Sequence, residues 1–204
     1  MTLKTNGHIL WMPKPNVRDK LLAAGLETMH RLGFNGCSVQ DITQAAGVPK
    51  GSFYNHFESK EALGAELLDL YWQKAANASL RILSNEALPP LERLNRYFDT
   101  LAEGLASLSY EQGCLLGNFG TELSDQSRLV RDRLSSVLAG WTRSLECCVR
   151  DAQLSGDVRA DLDAADLAAF LVNAWEGTVL RTKVDRDGRA VAQFRTVVFS
   201  AILA

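Results

Sequence analysis

The chain has 204 residues, 47% of them hydrophobic, and a formal net charge of −2. This excludes a disordered chain and fits one compact protein with a large core, or a small domain fused to a larger one. No apolar run is long enough for a bilayer and no signal peptide is legible, so a cytoplasmic protein without membrane contact is expected.

Residues 1–16 read as an arm, broken by Gly7, Pro13 and Pro15. Such arms reach into minor grooves, but Lys4 and Lys14 are the only Lys or Arg in this one. Its run Ile9, Leu10, Trp11, Met12 either packs on the body or marks Met12, rather than Met1, as the natural start. Residues 17–32 form an amphipathic helix with Val17, Leu21, Gly25, Met29 and Leu32 on one stripe. Gly33 ends it, and Phe34 fills the joint before the next element.

Residues 38–60, SVQDITQAAGVPKGSFYNHFESK, organise the rest. Ser38 and Asp41 form a capping box that starts a helix. Val39, Ile42, Ala45 and Ala46 give that helix one apolar stripe, and Gly47 supplies its left-handed stop. Pro49 opens a second helix, expected over residues 49–57. At about 100° per residue, Phe53 and Phe57 point into a core while Gly51 and Asn55 point away from it. Lys50 and Tyr54 flank that outer face on one side and Ser52 on the other. A helix lying in a DNA major groove needs such a face. Lys50, Tyr54, His56 and Lys60 are expected at phosphates, Ser52 and Asn55 at base edges, Gly51 permits close approach, and Ser38 is expected as a further DNA contact. Residues 1–60 carry seven Lys or Arg against four Asp or Glu, and the remainder fifteen against twenty. The positive excess therefore lies with the helix-turn-helix and the acidic part faces away from DNA.

A helix-turn-helix pattern alone also occurs in helical proteins that bind no DNA. The longer stretch GVPKGSFYNHFESKEAL resembles the recognition-helix signature of TetR-family transcriptional regulators, K-G-x-x-Y-x-H-F-x-x-K. Lys50, Gly51, Tyr54, His56, Phe57 and Lys60 all match it. The resemblance implies an all-α protein with a three-helix DNA-binding domain at residues 17–60 and a larger effector-binding and dimerisation domain at residues 61–204. It also implies a homodimer on double-stranded operator DNA, most simply a repressor released by a small-molecule effector.

Residues 59–83 read as one helix with Leu63, Leu67, Leu70, Tyr71 and Trp72 inside, long enough to enter both domains. In the resembling family this helix links the two mechanically. Pro89 and Pro90 start a helix running to about residue 109. Residues 111–125, EQGCLLGNFGTELSD, carry Gly113, Gly117 and Gly120 and make a poor helix by propensity. Such a stretch lines a cavity or allows close helix packing. Residues 127–154 follow as a long helix bearing Trp141, then helices from residue 163 or 164 to about 184 and from 189 to 203. Both are apolar nearly all round, so a second subunit is expected against them, with Phe194 and Val198 as buried contacts between copies.

GCLLGNFGTELSD and AWEGTVLRTKV resemble segments of a TetR subgroup that includes repressors responding to acrylate and to other reactive electrophiles. Against that background, Cys114 at a helix start reads as an activated thiolate or as a small core residue. Asn118 reads as an effector contact, or as a cap or partner of Glu122. Glu176, in an apolar helix beside Trp175, reads as a pocket residue or as the buried partner of Arg181. Trp141 and Trp175 are pocket walls or core. The other cysteines, Cys37, Cys147 and Cys148, have neither metal-ligand nor disulfide spacing, so no metal or cofactor is expected. An enzyme is disfavoured because His8, His30 and His56 have no catalytic partner by spacing and no phosphate loop occurs. The remaining alternative is a constitutive DNA-binding protein without an effector.

Overall fold

The computed structural model describes residues 16–204. The expected arm, apart from Asn16, and the apolar run within it lie outside the described residues. Those described are helical and include no strand.

Helix α1 (Val17–Leu32) starts where the Asn16 side chain accepts from the Asp19 amide, 2.9 Å away. It ends at Gly33, whose φ of +78° is left-handed. Its buried stripe is Leu21, Ala24, Gly25, Thr28 and Met29. Leu32, expected inside, is exposed: it shares the face of Leu21 but is the last residue of the helix. Helix α2 (Val39–Ala45) carries the expected capping box, with both Ser38–Asp41 bonds made. Its end is a Schellman motif: the Gly47 amide donates to Gln44 and the Val48 amide to Thr43, with φ of Gly47 at +64°. Ala45 is exposed, and the buried place next to Ile42 is taken by Thr43.

Helix α3 (Gly51–Tyr54) is shorter than the expected 49–57. The turn before it closes through i→i+3 bonds, Ser52 to Pro49 and Phe53 to Lys50, wound more tightly than an α-helix, while the turn after it mixes an i→i+3 bond, His56 to Phe53, with an α-type one, Phe57 to Phe53. Phe53 and Phe57 are buried as expected, their ring centroids 5.5 Å apart.

Helix α4 (Lys60–Ala75), capped by Ser59, runs on through a π-helical turn (Ala76–Leu80) into α5 (Arg81–Leu83). The continuous helix matches the expected 59–83, and the widened turn was not legible in sequence. A Cβ on Gly25 would sit 3.0 Å from Leu63 and 3.3 Å from Leu67, so glycine lets α1 lie close on α4. Helices α6 (Pro90–Ser107), α7 (Leu115–Leu123), α8 (Arg128–Leu154), α9 (Ala164–Asp185) and α10 (Arg189–Val197, continued by a π-helical turn, Val198–Ile202) complete the chain. Helix α8 packs on α4, α6 and α9, and α10 on α9. One apolar core runs unbroken from Leu21 to Leu203, with α4 belonging to both ends of it.

Candidate nucleic-acid face and ligand cavity

Gln40, Gln44, Lys50, Gly51, Tyr54, Asn55 and His56 form an exposed surface on and around α2 and α3. A Cβ on Gly51 would meet nothing within 4 Å, so the backbone there is open to a close surface. Tyr54 stands edge-on against Phe53, ring centroids 5.3 Å apart, which fixes the phenol's direction. Ser52 is half-buried. Ser38 is exposed, but its hydroxyl is committed to the capping box with Asp41. Gln40 and Gln44 were not singled out in the sequence; on α2 they lie one turn apart and outside the apolar stripe, which was the available signal.

Lys60 departs from its expected place at phosphates. Its ammonium donates to the carbonyls of Phe34 (2.9 Å) and Cys37 (2.7 Å) and lies 4.1 Å from the centre of the Phe34 ring. Those carbonyls belong to the turn between α1 and α2, and the lysine reaches back from the start of α4 to satisfy them. Its role in this structure is to hold the three-helix unit together.

The C-terminal helices enclose a cavity of about 290 Å³, walled by α4, its π-helical turn, α6, α8 and α9. Trp72, Leu101, Leu105, Trp141 and Trp175 are among its mostly apolar lining. The π-helical turn contributes Ala78, Ser79 and Leu80, so the widened helix forms part of the wall. A second cavity, of about 260 Å³, contains Asn118, Glu176 and Lys183. Gly113, Cys114 and Val179 line both. Sequence reasoning thus named five residues, Cys114, Asn118, Trp141, Trp175 and Glu176, that the fold brings to these two adjoining spaces. It missed Tyr71, Tyr97 and Lys183, which line them too.

Cys114 is the residue before α7, as expected, but the environment opposes a thiolate. Burial and the nearby Glu176 charge push its thiol well above the usual range, outweighing the helix-start amides of Gly117 and Leu116. The Tyr71 hydroxyl lies 3.8 Å from its sulfur. Glu176 does not pair with Arg181, which binds Asp185 at 2.6 Å instead. Burial raises the Glu176 carboxyl, with the nearby Cys114 thiol pulling the other way, and Oε1 has no hydrogen-bond partner among the described residues. Gly117 makes this approach possible: a Cβ there would be 2.6 Å from Glu176 Oε2. Asn118 is bonded neither as a cap nor to Glu122; it accepts from Lys183 Nζ (3.2 Å) and donates to the Gln112 carbonyl (3.1 Å).

Helix α7 also touches the DNA-binding unit at both ends. Before its first turn, the Gly113 carbonyl is 2.9 Å from His30 Nε2 on α1. In its last turn, the Glu122 carboxylate accepts from the amides of Phe34 (3.2 Å) and Asn35 (2.7 Å). Between them, Phe119 meets Phe34 edge-on at 5.8 Å. The sequence carried no signal for these contacts, since the partners are more than eighty residues apart.

Phe194 and Val198, expected as contacts between copies, lie in the core of a single chain instead. They are only 6% and 2% exposed within one chain. Phe194 packs on Phe98 and Trp175, with ring centroids 5.0 and 5.2 Å away. The outward stripe of α9 and α10 is Phe170, Leu180, Val184 and Val197, with Leu180 63% and Val184 69% exposed. The alternation along each helix decides this, and uniform apolarity in the sequence concealed it.

No described helix is long and apolar enough to cross a membrane. Comparison with known families matches residues 21–67 to the bacterial regulatory proteins of the tetR family and residues 90–198 to the tetracyclin repressor-like C-terminal domain. The chain is 41% identical to the HTH-type transcriptional repressor DhaR of a Mycobacterium species over 192 residues, covering 94% of this chain and 95% of that one. It is 36% identical to the transcriptional regulator AcuR of Cereibacter sphaeroides over 167 residues, 82% and 76% of the two chains. A crystal structure of a regulatory protein TetR from Rhodobacter sphaeroides superposes with a TM-score of 0.86 at 33% identity, covering 92% of this chain and 99% of that one.

Proposed function

This chain belongs to the TetR family of DNA-binding transcriptional regulators, and from that premise we propose that it is a repressor released from its operator by a small molecule held in the apolar cavity. Two copies bind a pseudo-palindromic operator in the cytoplasm, each placing α3 in the major groove. Lys50, Tyr54 and His56 engage phosphates, Ser52 and Asn55 meet base edges, and Gly51 lets the backbone approach. The exposed apolar stripe of α9 and α10 meets its own copy across a two-fold axis.

The observation that carries the reading is the position of α7. Its N-terminal end lines the cavity, and both ends are bonded to the DNA-binding unit. A ligand that moves α7 therefore moves the joint between α1 and α2. Helix α4 offers a second path, since Tyr71 lines the cavity while Leu63 and Leu67 pack under α1. The raised pKa of the Cys114 thiol favours an effector that packs beside the sulfur without bonding to it.

Gly104 provides the test, because it lines the cavity and a Cβ there meets nothing within 4 Å. Gly104→Trp should fill the space, bind the operator as the wild type does, and no longer be released by compounds that release the wild type in an anisotropy assay. Release at wild-type concentrations would place the effector elsewhere. Cys114→Ser should still be released; loss of release together with a mass increment on the Cys114 peptide of the wild type would establish a covalent effector instead.

A further inference from the structure

We propose that the effector is an uncharged apolar molecule without a hydrogen-bonding group, about twice the size of benzene, selected by fit and by contact with aromatic rings. This rests on the reading of the apolar cavity as the effector site and adds the chemical class of its ligand.

The polar side chains of the wall have their partners within the protein. The Tyr71 hydroxyl lies 3.8 Å from the Cys114 sulfur. Ser79 Oγ donates to the Ala75 carbonyl and Thr100 Oγ1 to the Arg96 carbonyl, each at 2.9 Å. His30 Nε2 is 2.9 Å from the Gly113 carbonyl, and since a carbonyl only accepts, that nitrogen carries the ring's hydrogen. The Trp141 indole N–H stands against the Tyr97 hydroxyl. All of these side chains line the cavity. A ligand hydroxyl or carbonyl entering here would give up its water and find these groups occupied.

The lining also fixes charge and size. Neither Lys nor Arg, and neither Asp nor Glu, lines this cavity. Burial favours the neutral form of His30. Glu176 and Lys183 line only the adjoining cavity, separated from this one by Gly113, Cys114 and Val179, which line both. An ion of either sign would therefore leave water with no counter-charge in contact. What a ligand does meet is apolar: Leu101, Leu105 and Leu116, with the rings of Trp72, Trp141 and Trp175. Ring-to-ring contacts add to simple burial, so a flat aromatic body gains most here. A dry cavity of about 150 Å³ takes up benzene, so this one, of about 290 Å³, has room for a molecule about twice as large.

Four probes on one ring system separate the contributions: naphthalene, 2-naphthol, 2-naphthoate and 2-naphthyltrimethylammonium, titrated into the full chain by calorimetry. Naphthalene should bind most tightly, 2-naphthol at least about fivefold more weakly, and both ions more weakly still. Gly104→Trp, which fills the cavity, should abolish naphthalene binding. In the wild type, Overhauser contacts from naphthalene to the methyl groups of Leu101 and Leu105 should place the probe in the cavity, a measurement that stands even if the variant fails to fold. With naphthalene so placed, 2-naphthol or either ion binding as tightly as naphthalene overturns this inference while leaving the cavity reading intact. Failure of all four probes to bind, or naphthalene binding without contacts to Leu101 and Leu105, overturns both.

Discussion

Removing the Glu122 carboxylate should loosen the joint between the DNA-binding unit and the rest of the protein. Glutamate in the last turn of α7 is unfavourable for that helix, since its charge faces the negative end of the helix dipole. Its place is explained by the two amides it accepts, Phe34 at 3.2 Å and Asn35 at 2.7 Å. Hydrogen bonds to a charged acceptor contribute about 1.5–3 kcal/mol. The Asn35 bond is exposed, so water replaces most of it, and removing the charge relieves a few tenths of dipole repulsion. The net loss for Glu122→Ala is then about 1.5–2 kcal/mol, close to the lower limit for one such bond. Amide exchange at Phe34 and Asn35 reads this directly: at about 1.4 kcal/mol per tenfold, it should accelerate by about ten- to thirtyfold if that joint opens locally. Glu122→Gln, which keeps one acceptor oxygen without the charge, should fall between. Unchanged exchange at both amides in Glu122→Ala would refute the assignment of Glu122 as the clasp on this turn.

Four further variants and one pH series follow from the same structure. Phe194→Ala should lower unfolding stability by about 3–5 kcal/mol at fixed protomer concentration, whereas Leu180→Glu should leave the fold intact and yield monomers by sedimentation; the reverse pattern would return Phe194 to the contact between copies. Lys60→Ala should lower stability while leaving the salt dependence of operator binding unchanged, and Lys50→Ala should reduce that slope by about 1. Burial raises the Glu176 carboxyl above its unfolded value, so the stability it permits is present below the unfolded pKa and is lost as pH rises through the folded one. Glu176→Gln should therefore raise the melting temperature at about pH 7.5 and do so much less near pH 4; an equal rise at both would show that ionisation plays no part.

Much of the fold was legible because helix signals are local. The Ser38–Asp41 box, the Gly47 stop, the Ser59 cap and the Pro90 start all sit within four residues of what they govern, and each appears where expected. The recognition helix is shorter than the expected residues 49–57: proline and aromatic spacing fit a regular helix, while a tight i→i+3 turn before Gly51 and a mixed turn after Tyr54 fit the same residues equally well. The cavity residues were found from unusual chemistry, a charge and tryptophans in apolar helices. Their environment was not, because a pKa depends on which groups converge in space. Cys114 shows this: a helix start predicts a lowered thiol, yet burial and Glu176, sixty-two residues away, reverse the sign. Lys60 and Glu122 escaped for the same reason, each satisfying backbone groups in the turn after α1 from a distant helix.

In the proposed switch, that turn is what lets so small a helix as α7 act on the DNA-binding unit. It is held from one side by Lys60 at the start of α4 and from the other by Glu122 at the end of α7. Both helices begin or end there, and both line the cavity at their other ends, through Tyr71 on α4 and through Cys114 before α7. The Tyr71 hydroxyl beside the Cys114 sulfur ties those other ends together, and His30 rests on Tyr71 and on the Gly113 carbonyl. The two helices therefore form two struts between one turn and one cavity wall, so neither can shift alone without breaking a buried contact. On the proposed reading, a ligand at the wall would have to displace both struts together, the all-or-none element that amplification of small local shifts requires. Linkage then fixes the converse: if an effector weakens operator binding by moving these struts, operator binding must hold them and weaken the effector by the same factor.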